Sequence, residues 1–391
     1  MYGLFFELIQ LAIGRRDYLS RTPSAGEWGE LYRMAQRQTL VGVCFYGVQM
    51  LPREQLGGMP LALKMRWMAM AVEIQRRNVA IGARCRDLYK RISDDGYRSC
   101  LLKGQAFAAL YEASDRSTQE GDGVGMSLSL LRQPGDIDMW MMAEPEEVIG
   151  WARKTGTMYY YDFHHADLSI FAETEVELHY RPSISRNLLR NARLQRWFKG
   201  EGREHIVYDE ALGCCVPDAT FNIVLALNHN FWHLLYEGVG LRQMMDLYFV
   251  VKSFGHSSCS GDVALRLIGN FGLERFAAAS AWVLWHIFDE ESVDSVLVGD
   301  GSPLPKPDER SGRFLLREIL LAGNFGHYDD RIKGAKEGSR LRLMFRWLKH
   351  TSRLLRFFPG DVLWTPLGIM RISLWRRLRY STDVFLWKRK R

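Results

Sequence analysis

The sequence predicts an α+β fold in which a small mixed β-sheet with flanking helices lies between an N-terminal helical segment and a helical C-terminal domain. Apolar residues recur at three- and four-residue spacing over residues 1–95 and again from about residue 216, which is typical of amphipathic helices. The stretch between them contains short apolar runs separated by turn residues, which is typical of strands. We therefore expect three regions, namely 1–95, 96–215 and 216–391, the last with a basic tail.

The N-terminal region predicts helices within LFFELIQLAI, WGELYRMAQRQTLVGVCFYGVQML and VAIGARCRDLYKRI, where apolar residues follow the helical period. The turn sequence Asp94-Asp95-Gly96 ends this pattern. The apolar run YRSCLLKG then predicts a strand, and QAFAALYE predicts a helix that follows Gly104. Residues 113–131 are rich in Gly, Ser and acids and predict an insertion of weak periodicity.

The rest of the chain continues this alternation. A second strand is predicted in DIDMWMM, directly after the turn Gln133-Pro134-Gly135. The segment PEEVIGWARKTG predicts a helix that begins at Pro145, because acids in a first helical turn interact favourably with the helix dipole. Strands are predicted in MYYYDFHH and LSIFAETEVELHYRP, and helices follow in ATFNIVLALNHNFWHLL and LRQMMDLYFVVKSF.

The composition is that of an ordinary folded protein, with 47% apolar and 25% charged residues. The six cysteines show no C-x-x-C spacing, so the sequence predicts neither a zinc site nor a disulfide framework. A reduced, cytoplasmic compartment is therefore expected. No apolar run approaches the roughly 20 residues that a transmembrane helix needs.

The formal net charge of +7 is unevenly distributed. Residues 331–391 contain 17 Lys and Arg against 3 Asp and Glu, whereas residues 1–330 contain more acids than bases. Basic helices with interleaved aromatic residues most commonly present a solvated face to water. Contact with nucleic acid or with an anionic membrane surface is the alternative for this tail.

Three carboxylates are the strongest candidates for chemistry. On the strand predicted in GDIDMWM, Asp136 and Asp138 share one face because side chains at i and i+2 point the same way. A divalent cation would offset their repulsion. In VELHY, apolar residues flank Glu177, which therefore lies on the polar face of a later strand, although Glu175 competes for the same role. Two aspartates and a neighbouring acid can hold two Mg²⁺ ions.

Groups that could bind phosphate precede these acids. Gly104 lies at a strand-to-helix junction, where backbone can approach a ligand closely and the N–H groups of the helix favour anions. Lys103 adds a positive charge, and Arg132 could contact a phosphate oxygen. Each residue also has a purely structural alternative. Gly104 could be a turn glycine, Lys103 a lysine at a strand end, and Arg132 an ion-pair partner of Asp136 or Glu177.

The order of these motifs resembles the nucleotidyltransferase superfamily of DNA polymerase β. The segments LLKGQAFAALY, GDIDMWM, VELHYRP, LNHNFWHLL and GLRQMMDLYFVV are more closely similar to the bacterial nucleotidyltransferase family 5. This resemblance extends over most of the chain and implies a nucleotidyltransferase-type mixed sheet in which Asp136, Asp138 and Glu177 are the metal ligands. Lys103-Gly104 stands where the superfamily has Gly-Ser, and the gap from Gly104 to Asp136 is longer than usual.

Other polar residues are weaker candidates for substrate contact. His179 lies on the polar face of its strand, and a half-buried structural histidine is the equal alternative. His229 and His233 have the i, i+4 spacing of zinc pairs, but they lack a third ligand, so helix packing or a cleft position is favoured. The spacing of Arg242 and Asp246 favours a helix ion pair, whereas the resemblance puts both beside the active cleft.

Together these residues predict transfer of a nucleoside monophosphate from an NTP to an unidentified hydroxyl acceptor, with release of pyrophosphate and with Mg²⁺ or Mn²⁺ as cofactor. Two alternatives stay open. The same fold would serve as a nucleotide-binding sensor or partner module without chemistry. In the other alternative, the basic C-terminal helices would bind RNA for a modifying reaction.

Overall fold

The computed structural model describes residues 1–114, 126–255, 257–289, 301–326 and 351–382. These residues are mostly helical and contain a five-stranded mixed sheet and a two-stranded hairpin, so the α+β prediction is confirmed at that level. No helix among them is long and apolar enough to cross a membrane. Most of the predicted insertion and two parts of the basic tail lie outside the described residues.

Four helices precede the sheet: α1 (Tyr2–Ala12), α2 (Ala25–Arg37), α3 (Val41–Gln49) and α4 (Leu61–Asp94). A capping box opens α2, in which the Ser24 hydroxyl accepts from the Glu27 N–H and the Glu27 carboxylate accepts from the Ser24 N–H. The face of α4 that packs on the sheet has buried apolar residues at three- and four-residue spacing: Ile81, Cys85, Leu88 and Ile92.

The sheet contains five strands: β1 (Ser99–Leu102), β2 (Ile137–Met141), β3 (Met158–Tyr161), β4 (His165–Leu168) and β5 (Val176–His179). Their spatial order is β1-β2-β5-β4-β3, in which β2 and β5 run parallel and the other neighbours run antiparallel. Helix α5 (Gly104–Ala109) follows β1, and α6 (Pro145–Lys154) connects β2 to β3. The predicted helix start at Pro145 is thus confirmed.

The two faces of the sheet differ in chemistry because side chains alternate along each strand. On one face, Ile137 of β2 and Val176 and Leu178 of β5 are fully buried in a core that includes α4 and α6. The opposite face carries Asp138 and Glu177, and we call it the polar face. The sheet is therefore anchored by its apolar side and presents its charged side to the elements that follow.

The C-terminal part begins with α7 (Leu188–Lys199) and the hairpin of β6 (Ile206–Asp209) and β7 (Cys214–Pro217). The described helices after it are α8 (Ala219–Tyr236), α9 (Leu241–Phe254), α10 (Gly261–Asn270), α11 (Glu274–Leu284), α12 (Glu309–Ala322) and α13 (Pro359–Thr382). Trp140 of β2 lies 6.3 Å from Phe198 of α7 and 5.8 Å from Phe221 of α8, measured between ring centroids. The polar face therefore meets the C-terminal helices.

Helix α13, in the basic tail, packs back on the sheet. Arg376 forms an ion pair with Asp162, which follows β3, with 2.5 Å between Nη2 and Oδ2. Arg379 pairs with Glu146 of α6. In this described part of the tail, these two positive charges are bound to acids of the same chain.

The close approach of α3 to the segment that enters β2 depends on Gly42. A Cβ at this position would lie well inside van der Waals contact with the carbonyl oxygen of Leu131. We expect Gly42→Ala to lower the free energy of unfolding by about 1–3 kcal/mol, the usual cost of overpacking, as measured by urea denaturation.

Gly82→Ala in α4 is the control for this substitution. No heavy atom lies within 4 Å of a Cβ at Gly82, and alanine has the higher helix propensity, by up to about 1 kcal/mol. Gly82→Ala should therefore leave the stability unchanged or raise it. Equal losses in both variants would contradict the close packing at Gly42.

Candidate active site

A row of carboxylates crosses the polar face. Asp138 of β2 lies directly opposite Glu177 of β5, and Glu177 lies opposite Asp167 of β4. The Ile137 N–H donates to the Glu175 carbonyl at 3.0 Å and helps to fix this register. Directly opposite side chains on neighbouring strands have Cβ atoms about 4.5–5.5 Å apart. The structure thus brings two of the predicted metal ligands together and adds Asp167 to them.

Asp136 lies just before β2, two residues from Asp138 along the chain, and is exposed. Partial enclosure by the protein, followed by the negative charges of Glu177 and Asp138, raises the pKa of Asp136 to about 6. The three predicted ligands are therefore close enough to influence one another. A cation bound among them would relieve their mutual repulsion.

Lys103 and His179 both contact Asp138. Lys103 Nζ lies 2.8 Å and His179 Nε2 lies 3.0 Å from Asp138 Oδ1. Burial alone would raise the pKa of Asp138, but Lys103 and His179 outweigh burial and hold this pKa well below its ordinary value. Asp138 is therefore ionised, and its charge is balanced within the protein.

His179 bridges the two opposite carboxylates, since its Nε2 atom also lies 3.2 Å from Glu177 Oε2. Burial lowers the pKa of His179, but its contacts with Asp138 and Glu177 outweigh burial and raise this pKa above the ordinary value. The same contact lowers the pKa of Glu177 against the opposing effect of burial. The sequence places His179 on the polar face, and the structure shows it in contact with both carboxylates there.

The junction between β1 and α5 directs Lys103 toward the acids. The backbone angle φ is 47° at Lys103 and 43° at Gly104, so both residues are in the left-handed region. A lysine there is uncommon, and such strain is concentrated at functional sites. Gln105 Nε2 donates to Asn78 Oδ1 of α4 at 3.0 Å and ties the start of α5 to that helix. Since α5 has only six residues, its dipole adds little to anion binding.

Arg132 and Asp246 form a buried pair behind the row. Arg132 Nε and Nη2 donate to the two Asp246 oxygens at 2.7 and 2.8 Å, and the Tyr111 hydroxyl donates to Asp246 Oδ1 at 2.8 Å. Arg242 Nη1 donates to the Gln133 carbonyl at 3.2 Å. Burial and the nearby Arg132 lower the pKa of Arg242 to about 10. The structure thus uses Arg132, Arg242 and Asp246 to hold the turn that enters β2.

His229 and His233 lie on α8. Their Nε2 atoms are 3.0 Å apart, and His233 Nδ1 lies 2.8 Å from Glu237 Oε2. Burial, together with the positive charge of Lys103, lowers the pKa of His229 well below its ordinary value. His229 is therefore neutral and lies within electrostatic range of the site. The groups of potential metal ligands among the described residues include neither histidine.

Three further residues of this region, His164, His165 and Asp167, are not among the sequence-based candidates. His165 lies opposite His179, and its Nε2 atom is 2.9 Å from Asp167 Oδ1. A signal was present in HHADL, where His165 and Asp167 alternate with the apolar residues Ala166 and Leu168. This is the same alternation that identifies Asp138.

Three groups of side chains among the described residues have ligand atoms within 4.8 Å of one another. They are Asp138, Glu177 and His179; His165, Asp167 and Glu177; and His164, His165 and His179. Carboxylate oxygens suit hard ions such as Mg²⁺, whereas imidazole nitrogens suit transition metals. The polar face therefore offers donors of two different chemical kinds.

Asp246→Asn tests the buried pair. The substitution leaves the guanidinium of Arg132 buried without a charged partner, so we expect unfolding free energy to fall by about 3–5 kcal/mol. Asp94→Asn is the control because it removes only the exposed pair of Lys90 and Asp94, where Nζ and Oδ2 are 2.7 Å apart. The control should lose less than about 1 kcal/mol. Similar losses on chemical denaturation would argue against a buried pair.

Glu177→Gln tests the raised pKa of Asp136. Since Glu177 contributes to this shift, the midpoint should move from about 6 toward the ordinary aspartate value of about 3.9, as followed by carboxyl ¹³C NMR of the metal-free protein. Glu173→Gln, at an exposed position paired with Arg84, should leave the midpoint unchanged. An unchanged midpoint in Glu177→Gln would refute the assigned cause.

The raised pKa also has a defined effect on stability. The folded protein binds the Asp136 proton more tightly than the unfolded chain, so Asp136 lowers unfolding free energy as the pH rises from about 4 to about 6. Glu177→Gln should reduce this dependence. A divalent cation held by this carboxylate would compete with the proton, so the affinity for such a cation should rise through this pH range.

The structure gathers Asp136, Asp138, Glu177, Lys103 and His179 at one end of the polar face. Comparison with known proteins adds no further constraint, since no family model, no curated protein and no solved structure matches the chain.

Proposed function

We propose that the chain is a nucleotidyltransferase that depends on Mg²⁺ or Mn²⁺, transfers a nucleoside monophosphate from an NTP to a hydroxyl acceptor and releases pyrophosphate. One observation carries the proposal. Asp138 and Glu177 lie directly opposite each other on parallel strands, and Asp136 shares their electrostatic environment. Acids so placed can hold the paired metal ions of a phosphoryl-transfer site. The resemblance in motif order supports a nucleotidyltransferase-type sheet.

The donor set fits these cations. Carboxylate oxygens are the hard ligands that Mg²⁺ and Mn²⁺ prefer. Partial enclosure raises the pKa of Asp136, and so does repulsion from Glu177 and Asp138, which a divalent cation would relieve. The Lys103 ammonium group already contacts Asp138 at 2.8 Å, so this carboxylate attracts a cation within the protein itself.

In the proposed reaction, the acceptor oxygen forms a bond to the α-phosphorus of the NTP. The bond from that phosphorus to the bridging oxygen breaks, and the electron pair leaves with pyrophosphate. Bound Mg²⁺ would lower the pKa of the acceptor hydroxyl and neutralise charge on the triphosphate. Glu177, whose side chain is 32% exposed, would be the carboxylate that accepts the proton of the acceptor hydroxyl.

Lys103 would hold the triphosphate. Its Nζ atom is 2.8 Å from Asp138, so it must exchange this carboxylate for a phosphate oxygen when the cations bind. Gly104 would allow the backbone to approach the phosphates closely. We assign no nucleotide contact to Arg132, because its Nε and Nη2 atoms both donate to Asp246.

The contact of Lys103 with Asp138 also favours a second function. A lysine that stays on this carboxylate would occupy the place of a cation. The chain would then be a nucleotide-binding sensor or partner module without chemistry. This alternative predicts nucleotide binding without product.

The described part of the basic tail gives less support to RNA binding. Arg376 and Arg379 of α13 are bound to Asp162 and Glu146 and contribute to packing on the sheet. Surface charges that are already paired have less to gain from phosphate contacts.

The double variant Asp136→Asn/Asp138→Asn tests the proposed reaction. Wild type, incubated with labelled NTPs, Mg²⁺ or Mn²⁺ and a panel of hydroxyl acceptors, should release pyrophosphate. The double variant should be more than about 100-fold slower, because even the loss of a group that only orients a metal ligand costs about 10–100-fold. Asp94→Asn, in the exposed last turn of α4, should retain full activity.

The outcomes separate the two functions. Equal nucleotide binding and turnover in wild type and the double variant would refute the proposed role of the acids. Nucleotide binding by wild type without pyrophosphate release, across all acceptors, would favour the sensor or partner module.

A further inference from the structure

The proposed reaction leaves the β4 side of the polar face without a role. His165 and Asp167 lie there, next to Glu177 on the neighbouring strand. His165 Nε2 is 2.9 Å from Asp167 Oδ1, and His165 Nδ1 is 3.9 Å from Glu177 Oε2. The three side chains are 13%, 18% and 32% exposed, so the group is enclosed but can be reached from solvent.

The spacing of these groups suits a single metal ion. Zn²⁺ binds imidazole nitrogen and carboxylate oxygen at about 2.0–2.2 Å, so its tetrahedral ligands lie roughly 3.3–3.6 Å apart. One ligand atom from each of His165, Asp167 and Glu177 lies within 4.8 Å of the other two. Small side-chain rotations would therefore place all three around one ion.

A second imidazole lies beside this group. His164 Nε2 and His165 Nδ1 are 2.9 Å apart, so one ring donates and the other accepts. The remaining nitrogen of His164, Nδ1, is buried and has no hydrogen-bond partner in the described structure. His164, His165 and His179 form another group of possible ligands, which overlaps the first at His165. Imidazole nitrogens are ligands that transition-metal ions prefer.

We propose that His165, Asp167 and Glu177, with His164 beside them, form a second cation site that takes a transition-metal ion such as Zn²⁺. Imidazole is a poor ligand for Mg²⁺, so the site differs in chemistry from that of the proposed reaction. The two sites share Glu177. The inference does not require nucleotidyl transfer, because it depends only on the donor atoms.

Co²⁺ is the probe for this site, because its visible absorption reports direct coordination. Metal-free, full-length protein is titrated with Co²⁺ without nucleotide, and Zn²⁺ is then added. Wild type should show a saturable absorption band that Zn²⁺ abolishes. His165→Ala and the isosteric Asp167→Asn should each weaken Co²⁺ binding at least about 10-fold. Thermal unfolding in EDTA shows whether each variant is folded.

Two controls locate the ion. His205→Ala removes a different half-buried His–Asp pair, in which His205 Nδ1 lies 2.8 Å from Asp218 Oδ2, and should leave Co²⁺ binding unchanged. Asp138→Asn is the second comparison, because it alters the neighbouring group of possible ligands formed by Asp138, Glu177 and His179. Equal Co²⁺ affinity in wild type and both β4 variants would overturn the proposal. Loss of Co²⁺ in Asp138→Asn but not in His165→Ala would also overturn it, because the ion would then lie between β2 and β5.

These measurements are independent of the proposed reaction. A protein that binds Co²⁺ through His165 and Asp167 but never releases pyrophosphate would support the second cation site and refute the proposed function. Conversely, pyrophosphate release with Mg²⁺, together with β4 variants that bind Co²⁺ as tightly as wild type, would support the proposed function and refute the second cation site.

Discussion

The parallel pairing of β2 with β5 is the constraint on which the polar face depends. Because these strands are in register, Asp138 lies directly opposite Glu177. Like charges in such positions destabilise a sheet, so the pairing needs positive groups nearby. Lys103 reaches Asp138 from the junction after β1, and His179 reaches both carboxylates from further along β5. The contacts of Lys103 and His179 with the two carboxylates therefore also stabilise the pairing of β2 with β5.

A second set of contacts keeps these charges in place. Asn78 of α4 donates to the carbonyls of Leu130 and Arg132 at 2.6 and 2.8 Å, and it accepts from Gln105 at the start of α5. One residue thus holds both the segment that enters β2 and the helix that leaves β1. The buried pair of Arg132 and Asp246 holds the same segment from α9. The same set of hydrogen bonds therefore helps to position both Asp138 on β2 and Lys103 before α5.

The sequence could predict the local part of this arrangement but not the long-range part. The alternation in GDIDMWM and VELHY assigns Asp138 and Glu177 to polar faces, because a period of two is a property of any strand. Their direct opposition depends on which strands pair, and no local pattern contains that information. Likewise, the partner of Arg132 lies 114 residues further along the chain. The alternation of His165 and Asp167 was visible too, but it gains chemical meaning only beside Glu177.

The contact of Lys103 with Asp138 links metal binding to nucleotide binding in the proposed reaction. In that reaction, a divalent cation at Asp138 would take the place that Lys103 Nζ occupies at 2.8 Å. The released ammonium group would then be available to contact a phosphate oxygen of the triphosphate. A nucleotide bound to Lys103 would prevent the return of this side chain to Asp138. Each ligand would therefore favour binding of the other, and this coupling would act equally in both directions.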